Sequence, residues 1–219
     1  MKRNTITRLC SLAAAAVLAV SCIALTGCGS STNSASFTWF VDSIPANLDP
    51  QVASGASDVI ACENLYGTLV RKDPDGELVP GLCEKWTVSP DGLTYTFTLK
   101  DGLTYAAVKG AATEYDITAE DFVFAFRRIF RADTASPYAV EFSAIQNSAA
   151  VQAGLADESS LGVSANGALT LVFRLSERDD NFLAKLALPG AAPCDEAFFE
   201  STRGTYGLTA KTTLASGRY

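Results

Sequence analysis

Two hydrophobic periods share the stretch from Leu65 to Ile129. Thr94, Thr96 and Thr98 interleave with Tyr95, Phe97 and Leu99, a period of two that lays one face of a strand on a core. Asp75-Gly76 and Asp91-Gly92 stand between apolar runs. Gly accepts the positive φ of a tight turn and Asp bonds its own backbone, so each dipeptide predicts a hairpin. After an interruption the period becomes helical. Thr118-Ala119-Glu120-Asp121 can cap a helix, because the Thr hydroxyl can accept from an early N–H that has no helical partner. Phe122, Phe126, Ile129 and Phe130 follow at helical spacing, which predicts a helix that buries one aromatic face.

On the N-terminal side, Phe37 to Val41 reads as a first strand and Asn47-Leu48-Asp49-Pro50 as a turn. Ser57-Asp58 is placed to cap a helix from Val59 to about Leu69. On the C-terminal side the pattern predicts a strand from Leu169 to Leu175. A short helix from Asp180 to Leu188 ends at Pro189-Gly190, and another runs from Asp195 to Glu200. No solenoid repeat is visible. The mixture of strand and helix periods, with 48% apolar and 19% charged residues, describes a packed α/β protein and not a disordered chain.

The first residues call for a separate reading. Lys2, Arg3 and Arg8 precede an apolar stretch from Leu9 to Leu25, and Leu25-Thr26-Gly27 places small residues before Cys28. That is the pattern of a bacterial lipoprotein signal over 1–27, with Cys28 as the lipid-bearing first residue of the mature chain. The competing reading is a retained membrane helix. The stretch sits at the short end of the roughly 17 to 25 residues needed to span, and Ser, Thr and Cys weaken it. Residues 28–36 are small and polar and predict a flexible tether.

Removing the signal takes away three cations and no acid. It leaves 14 basic against 24 acidic residues, a balance of −10. Such a surface offers no phosphate-neutralising patch, so no nucleic-acid partner is expected. Arg127-Arg128 reads instead as a solvated helix end whose charges suit the dipole. Beyond the anchor, Cys62, Cys83 and Cys194 are an odd set with no C-x-x-C spacing. Buried free thiols are favoured over one disulfide or a metal site. The chain has no His, which removes the commonest general base and every Ser-His or Cys-His pairing. Glu120-Asp121 and Asp179-Asp180 are adjacent in sequence, so they diverge in direction and read as helix N-terminal charges. No glycine-rich phosphate loop appears. No catalytic residues, cofactor or metal are expected.

One family matches this order of elements. Leu48-Asp49-Pro50, Asn64-Leu65-Tyr66 with Gly67, Asp75-Gly76 through Val79-Pro80-Gly81-Leu82, Glu84-Lys85-Trp86 and Ser89 to Phe97 occur in turn. They continue with Thr118 to Val123, Arg127-Arg128-Ile129, Thr134-Ala135-Ser136-Pro137-Tyr138 and Leu161-Gly162-Val163. In this order the chain resembles the oligopeptide-binding (family 5) substrate-binding proteins of ABC transporters. Ser216-Gly217-Arg218-Tyr219 looks like that family's Asn-Gly-Pro-Tyr element altered at two positions. A second departure lies at 105–116, where Ala106 to Ala112 replaces a short Trp-Ser-Asp-Gly segment and predicts an altered hairpin tip.

The resemblance implies a mixed α/β, type II periplasmic-binding-protein-like fold of two lobes. Residues 37–66 and 196–219 would be pieces of the first lobe and 67–195 the smaller inserted domain. The chain stops well short of a typical member's length, so a truncated binder that holds peptides weakly or not at all is expected. The implied function is capture of an extended peptide, or another small solute, for delivery to ABC permease subunits. The implied location is extracytoplasmic, lipid-anchored on the outer face of the cell membrane or periplasmic. By the same resemblance the loop with Ser54, Gly55 and Ala56 lies along the ligand and Tyr138 faces the cleft. A plain surface turn and a half-buried packing tyrosine are the alternatives for these residues. A surface interaction or adhesion lipoprotein without solute transport is the alternative function.

Overall fold

The computed structural model describes residues 43–106 and 114–217. The strand expected at 37–41, the signal, Cys28 and the tether lie outside the described residues. The described chain opens with an irregular segment that turns at Asp49 and leads into helix α1, Ala56–Leu65. Strands β1 (Val70–Lys72) and β2 (Leu78–Pro80) follow as an antiparallel two-stranded ribbon. Next come β3 (Cys83–Val88) and β4 (Thr94–Leu99), then helix α2 (Ala119–Phe130). Short helix α3 (Ser148–Gln152) precedes β5 (Val163–Ala165) and β6 (Thr170–Arg174). The chain finishes with α4 (Phe182–Lys185) and α5 (Glu196–Ser201). Strands β3 to β6 make one antiparallel sheet in the order β3-β4-β6-β5.

Both predicted hairpins form, the second for the expected reason and the first with Asp73 in place of Asp75 as the carboxylate that holds the turn. Gly76 (φ 87°) and Gly92 (φ 73°) adopt positive φ. The Asp73 and Asp91 carboxylates accept N–H bonds from residues further round each turn, Glu77 and Leu93 respectively. The alternation along β4 is also as predicted, with Tyr95, Phe97 and Leu99 buried and the three threonines partly exposed. Register places Phe97 opposite Leu171 and Tyr95 opposite Phe173, so adjacent strands contribute to one apolar face. The interruption at 105–116 is flanked by a hairpin stem, since the Tyr105 N–H donates to the Tyr115 carbonyl at 2.8 Å. Its tip lies outside the described residues.

Helix α2 departs from the expectation of one buried face. Only Glu120 is exposed and only Arg127 half-buried; the rest of the helix is buried. Phe126 meets Phe142 and Phe173 edge-on at 4.9 Å, while Phe124 on another side meets Phe199 of α5 at 5.5 Å. The helix therefore runs between the sheet and the C-terminal segment. Its start carries a capping box, in which the Thr118 N–H donates to Asp121 Oδ2 at 2.9 Å.

Helix α1 corrects another expectation. It begins three residues earlier than Val59 and ends at Leu65, with Gly55 at its N-cap. Ser57 and Asp58 do not cap it. The Asp58 carboxylate accepts from the Ala46 and Asn47 N–H groups and Ser57 Oγ lies 2.9 Å from Ser43 Oγ. Both side chains hold the preceding strip of chain instead. The helix expected over 180–188 shrinks to α4, with a 3₁₀ turn at Pro189–Ala191. Asp195 caps α5 as expected, accepting the Phe198 N–H at 2.6 Å. Cys62, Cys83 and Cys194 are buried free thiols.

The aromatic layer sets the stability of this arrangement. Phe173 is fully buried and packs edge-on against Phe97, Phe126 and Phe182. Phe173→Ala is expected to cost about 3–5 kcal/mol, read as a shift of the urea midpoint. A loss below about 1 kcal/mol would show that the sheet and α2 do not share this core.

Candidate functional site

The site begins at the Leu48-Asp49-Pro50 turn. The Asn47 side-chain oxygen accepts the Asp49 N–H at 2.9 Å, and Asp49 Oδ1 accepts the Gln51 N–H at 3.1 Å, an arrangement short acidic and amide side chains favour in turns. Asp49 then faces Arg128 of α2. Nη1 donates to Oδ1 at 3.2 Å and Nη2 to Oδ2 at 2.5 Å, with the arginine 3% exposed. Nη1 also donates to Gln51 Oε1 at 2.6 Å. The Gln51 amide passes the connection on, donating to the carbonyls of Gly190 and Ala192. The guanidinium lies 4.0 Å above the Phe199 ring, a stacking that suits its planar cation.

This cluster overturns the reading of Arg127-Arg128 as a solvated helix end. Arg127 is half-buried, and Arg128 is an internal ion pair. The signal was faintly present: Arg128 stands one turn after Phe124, on the side of the helix that meets α5. Its partner is 79 positions away, so no local pattern could name it.

Beyond the clamp the chain emerges at Ser54, Gly55 and Ala56, all exposed. Gly55 has φ −69° and ψ 144°, ordinary extended backbone, so its value here is openness and not an unusual conformation. Tyr138 joins the Gln51 network from another segment. Its ring lies flat against Gly190, where an added Cβ would fall 2.4 Å from Cγ. Its N–H donates to Ser136 Oγ, and that hydroxyl donates to the Gln51 carbonyl at 2.5 Å. The Tyr138 segment is thus tied to Gln51, which precedes Ser54 in the chain. Tyr138 is 8% exposed, more buried than either sequence alternative supposed. Burial pushes its phenol up to about 12, with Cys62 and Glu63 adding in the same direction, so at neutral pH it is an uncharged donor.

A cleft of about 610 Å³ opens at the opposite end of α1. Glu63, Asn64, Arg71, Lys72, Leu188 and Pro189 are among its walls, whereas Ser54, Gly55, Ala56 and Tyr138 are not. Sequence reasoning did not single it out, because it forms where α1, the β1–β2 ribbon and α4 happen to meet. The thiols near the site are unreactive. Burial pushes Cys62 and Cys194 up to about 12, leaving no thiolate at neutral pH. Among the described residues no helix is long and apolar enough to cross a membrane.

Comparison with known proteins identifies the family and the fold. Residues 77–219 match the middle region of the bacterial extracellular solute-binding proteins, family 5. The periplasmic murein peptide-binding protein MppA of Escherichia coli is 35% identical over 135 residues, 61% of this chain and 24% of its own. The dipeptide-binding protein of Lactococcus lactis is 29% identical over 206 residues, 93% of this chain and 36% of its own. Among solved structures, the substrate-binding domain of an oligopeptide ABC transporter from Bacillus anthracis superposes with a TM-score of 0.73 at 31% identity. That superposition covers 79% of this chain and 32% of the other. The chain belongs to the family 5 bacterial extracellular solute-binding proteins, with their mixed α/β, type II periplasmic-binding-protein-like fold. It spans about a quarter to a third of the length of these relatives, and they are named as binding proteins, not enzymes.

The ion pair at the base of the site gives a contrast of magnitudes. Asp49→Ala leaves the buried Arg128 charge uncompensated and is expected to cost about 3–5 kcal/mol. Glu158→Ala removes a pair whose side chains are 29% and 36% exposed and is expected to cost at most about 1 kcal/mol. Urea unfolding of both variants checks this. Equal losses would remove the clamp from its central position.

Proposed function

We propose that this chain is part of an extracytoplasmic receptor that captures a small solute, most plainly an extended peptide, for an ABC uptake transporter. Family membership supports the reading, as do the peptides named for its relatives: murein peptide, dipeptide and oligopeptide. The observation that carries it is the open backbone at Ser54-Gly55-Ala56, held still from below by the Asp49–Arg128 pair and joined through Gln51 to Tyr138. An extended peptide binds such a strip by backbone hydrogen bonds, and neighbouring side chains select what it carries. Rigid support limits the entropy lost on ordering the site.

In this reading residues 67–195 form the small inserted domain, and 37–66 with 196–219 belong to the first lobe. Capture proceeds by closure onto a second surface with differential affinity for the closed form. Cys28 carries the lipid, and two or more acyl chains keep the receptor on the outer membrane face beside its permease.

Backbone amide NMR with a pool of tri- to pentapeptides at millimolar concentration tests the site even at weak affinity. Shift changes are expected at Ser54 to Ser57 and at Tyr138. Absence of any shift would sink the solute-binding reading and leave the adhesion lipoprotein. Shifts confined to Glu63, Arg71 and Lys72 would move the site to the cleft at the other end of α1.

A further inference from the structure

Tyr138, Ser136, Gln51 and Gly190 close a ring of contacts drawn from three segments of the chain. Ser136 Oγ donates to the Gln51 carbonyl at 2.5 Å and accepts the Tyr138 N–H at 3.2 Å. The Tyr138 ring lies against Gly190, and the Gly190 carbonyl accepts from Gln51 Nε2 at 3.2 Å. Gln51 is fully buried, with both amide hydrogens and its side-chain oxygen in use. Nε2 serves the Gly190 and Ala192 carbonyls, and Oε1 serves Arg128. One residue before Ser136, Ala135 stands at φ 48°, a left-handed conformation that an L side chain disfavours and that persists only where its surroundings hold it. The Ser136 hook is that hold.

Glycine at 190 is what lets this ring close. An added Cβ would fall 2.4 Å from Tyr138 Cγ, 2.5 Å from Cδ2 and 2.8 Å from Cδ1, so either the tyrosine or the 3₁₀ turn at Pro189–Ala191 would have to move. The turn is the fixed side. Ala191 and Ala192 are fully buried, the Ala192 N–H donates to the Pro189 carbonyl at 2.9 Å, and Gln51 holds the carbonyls on both sides of Ala191. Tyr138 is the side that can yield. The hook holds only its backbone N–H, and the residue keeps 8% of its surface open to solvent.

We propose that position 190 determines which solute side chains the receptor accepts: glycine lets the Tyr138 ring sit back and leaves room at its exposed edge for a bulky ligand side chain. The inference rests on the peptide-binding reading above, in which Tyr138 meets the ligand. Ser136 and Gln51 act as positioning residues, because they fix the tyrosine backbone and the turn on which its ring is seated. A methyl group at 190 would stand the ring further out and narrow that room. Peptides with small side chains would lose little, and peptides that bring an aromatic ring to Tyr138 would lose the contact. The ligand class selected is thus a peptide with a large apolar side chain at the residue facing Tyr138.

NMR titration of the full chain with Ala-Phe-Ala and with Ala-Ala-Ala, in wild type and Gly190→Ala, reads the ratio of the two affinities. A general loosening of the fold would weaken both peptides alike and leave the ratio where it was. Gly190→Ala is expected to lower the preference for Ala-Phe-Ala about two- to tenfold, the size of one lost aromatic contact. An unchanged ratio would overturn the selector and leave peptide binding standing, whereas a wild type that binds neither peptide would overturn both. Should Gly190→Ala fail to fold, Ser136→Ala, which removes the hook and adds no volume, is expected to lower the same ratio, and an unmoved ratio there is equally fatal. The seat is also read without ligand. A Gly190 α-proton is expected upfield, under the Tyr138 ring, and an ordinary shift for both α-protons would overturn the proposal.

Discussion

Everything around the candidate site leans on one buried ion pair, Arg128 with Asp49. A guanidinium 3% exposed is tolerable here because its charge and both terminal nitrogens are met, although its buried Nε has no partner. Here Asp49 answers both terminal nitrogens, Gln51 shares one of them and Phe199 supplies an aromatic face. The pair joins α2 to a strip of chain that has no regular structure of its own. Gly207 completes the hold from the far side, accepting the Leu48 N–H with its carbonyl. A Cβ at Gly207 would fall 2.2 Å from the Asp49 nitrogen, so only glycine allows that approach.

The clamp in turn explains why α2 is buried nearly all round. A helix with one partner needs one apolar stripe, but this one has the sheet on one side and α5 with the C-terminal segment on the other. Phe126 serves the first; Phe124, Arg128 and the Asp121 carbonyl serve the second. The second side carries the ionisable groups, because there the helix must hold irregular chain, whose backbone needs polar partners. Sheet packing asks only for shape and area. The same asymmetry places the candidate ligand strip beside the clamp and not beside the aromatic layer.

Elements with short-range causes were legible in the sequence. The hairpins follow from Asp-Gly dipeptides, β4 from alternation, the α2 cap from Thr118 and Asp121, and α5 from Asp195. Family membership was legible too, since it rests on the order of such elements. The start of α1 was misplaced because Ser57 and Asp58 have the right chemistry to cap a helix. Their bonds went instead to Ala46, Asn47 and Ser43, more than ten positions away, and Gly55 took the cap position.

The sequence by itself thus determined the two hairpin turns, strand β4 and the caps of α2 and α5, because each arises from interactions among residues a few positions apart. Tertiary structure alone decided that Arg128 is an internal cation, that Tyr138 lies flat on Gly190 and that a cleft opens between α1, the ribbon and α4. It alone brought the Asp121 carbonyl to the Cys194 N–H. The physical reason is the same in each case. The cost of burying a charge or a phenol depends on what faces it, and those partners arrive from distant parts of the chain only once the core has closed.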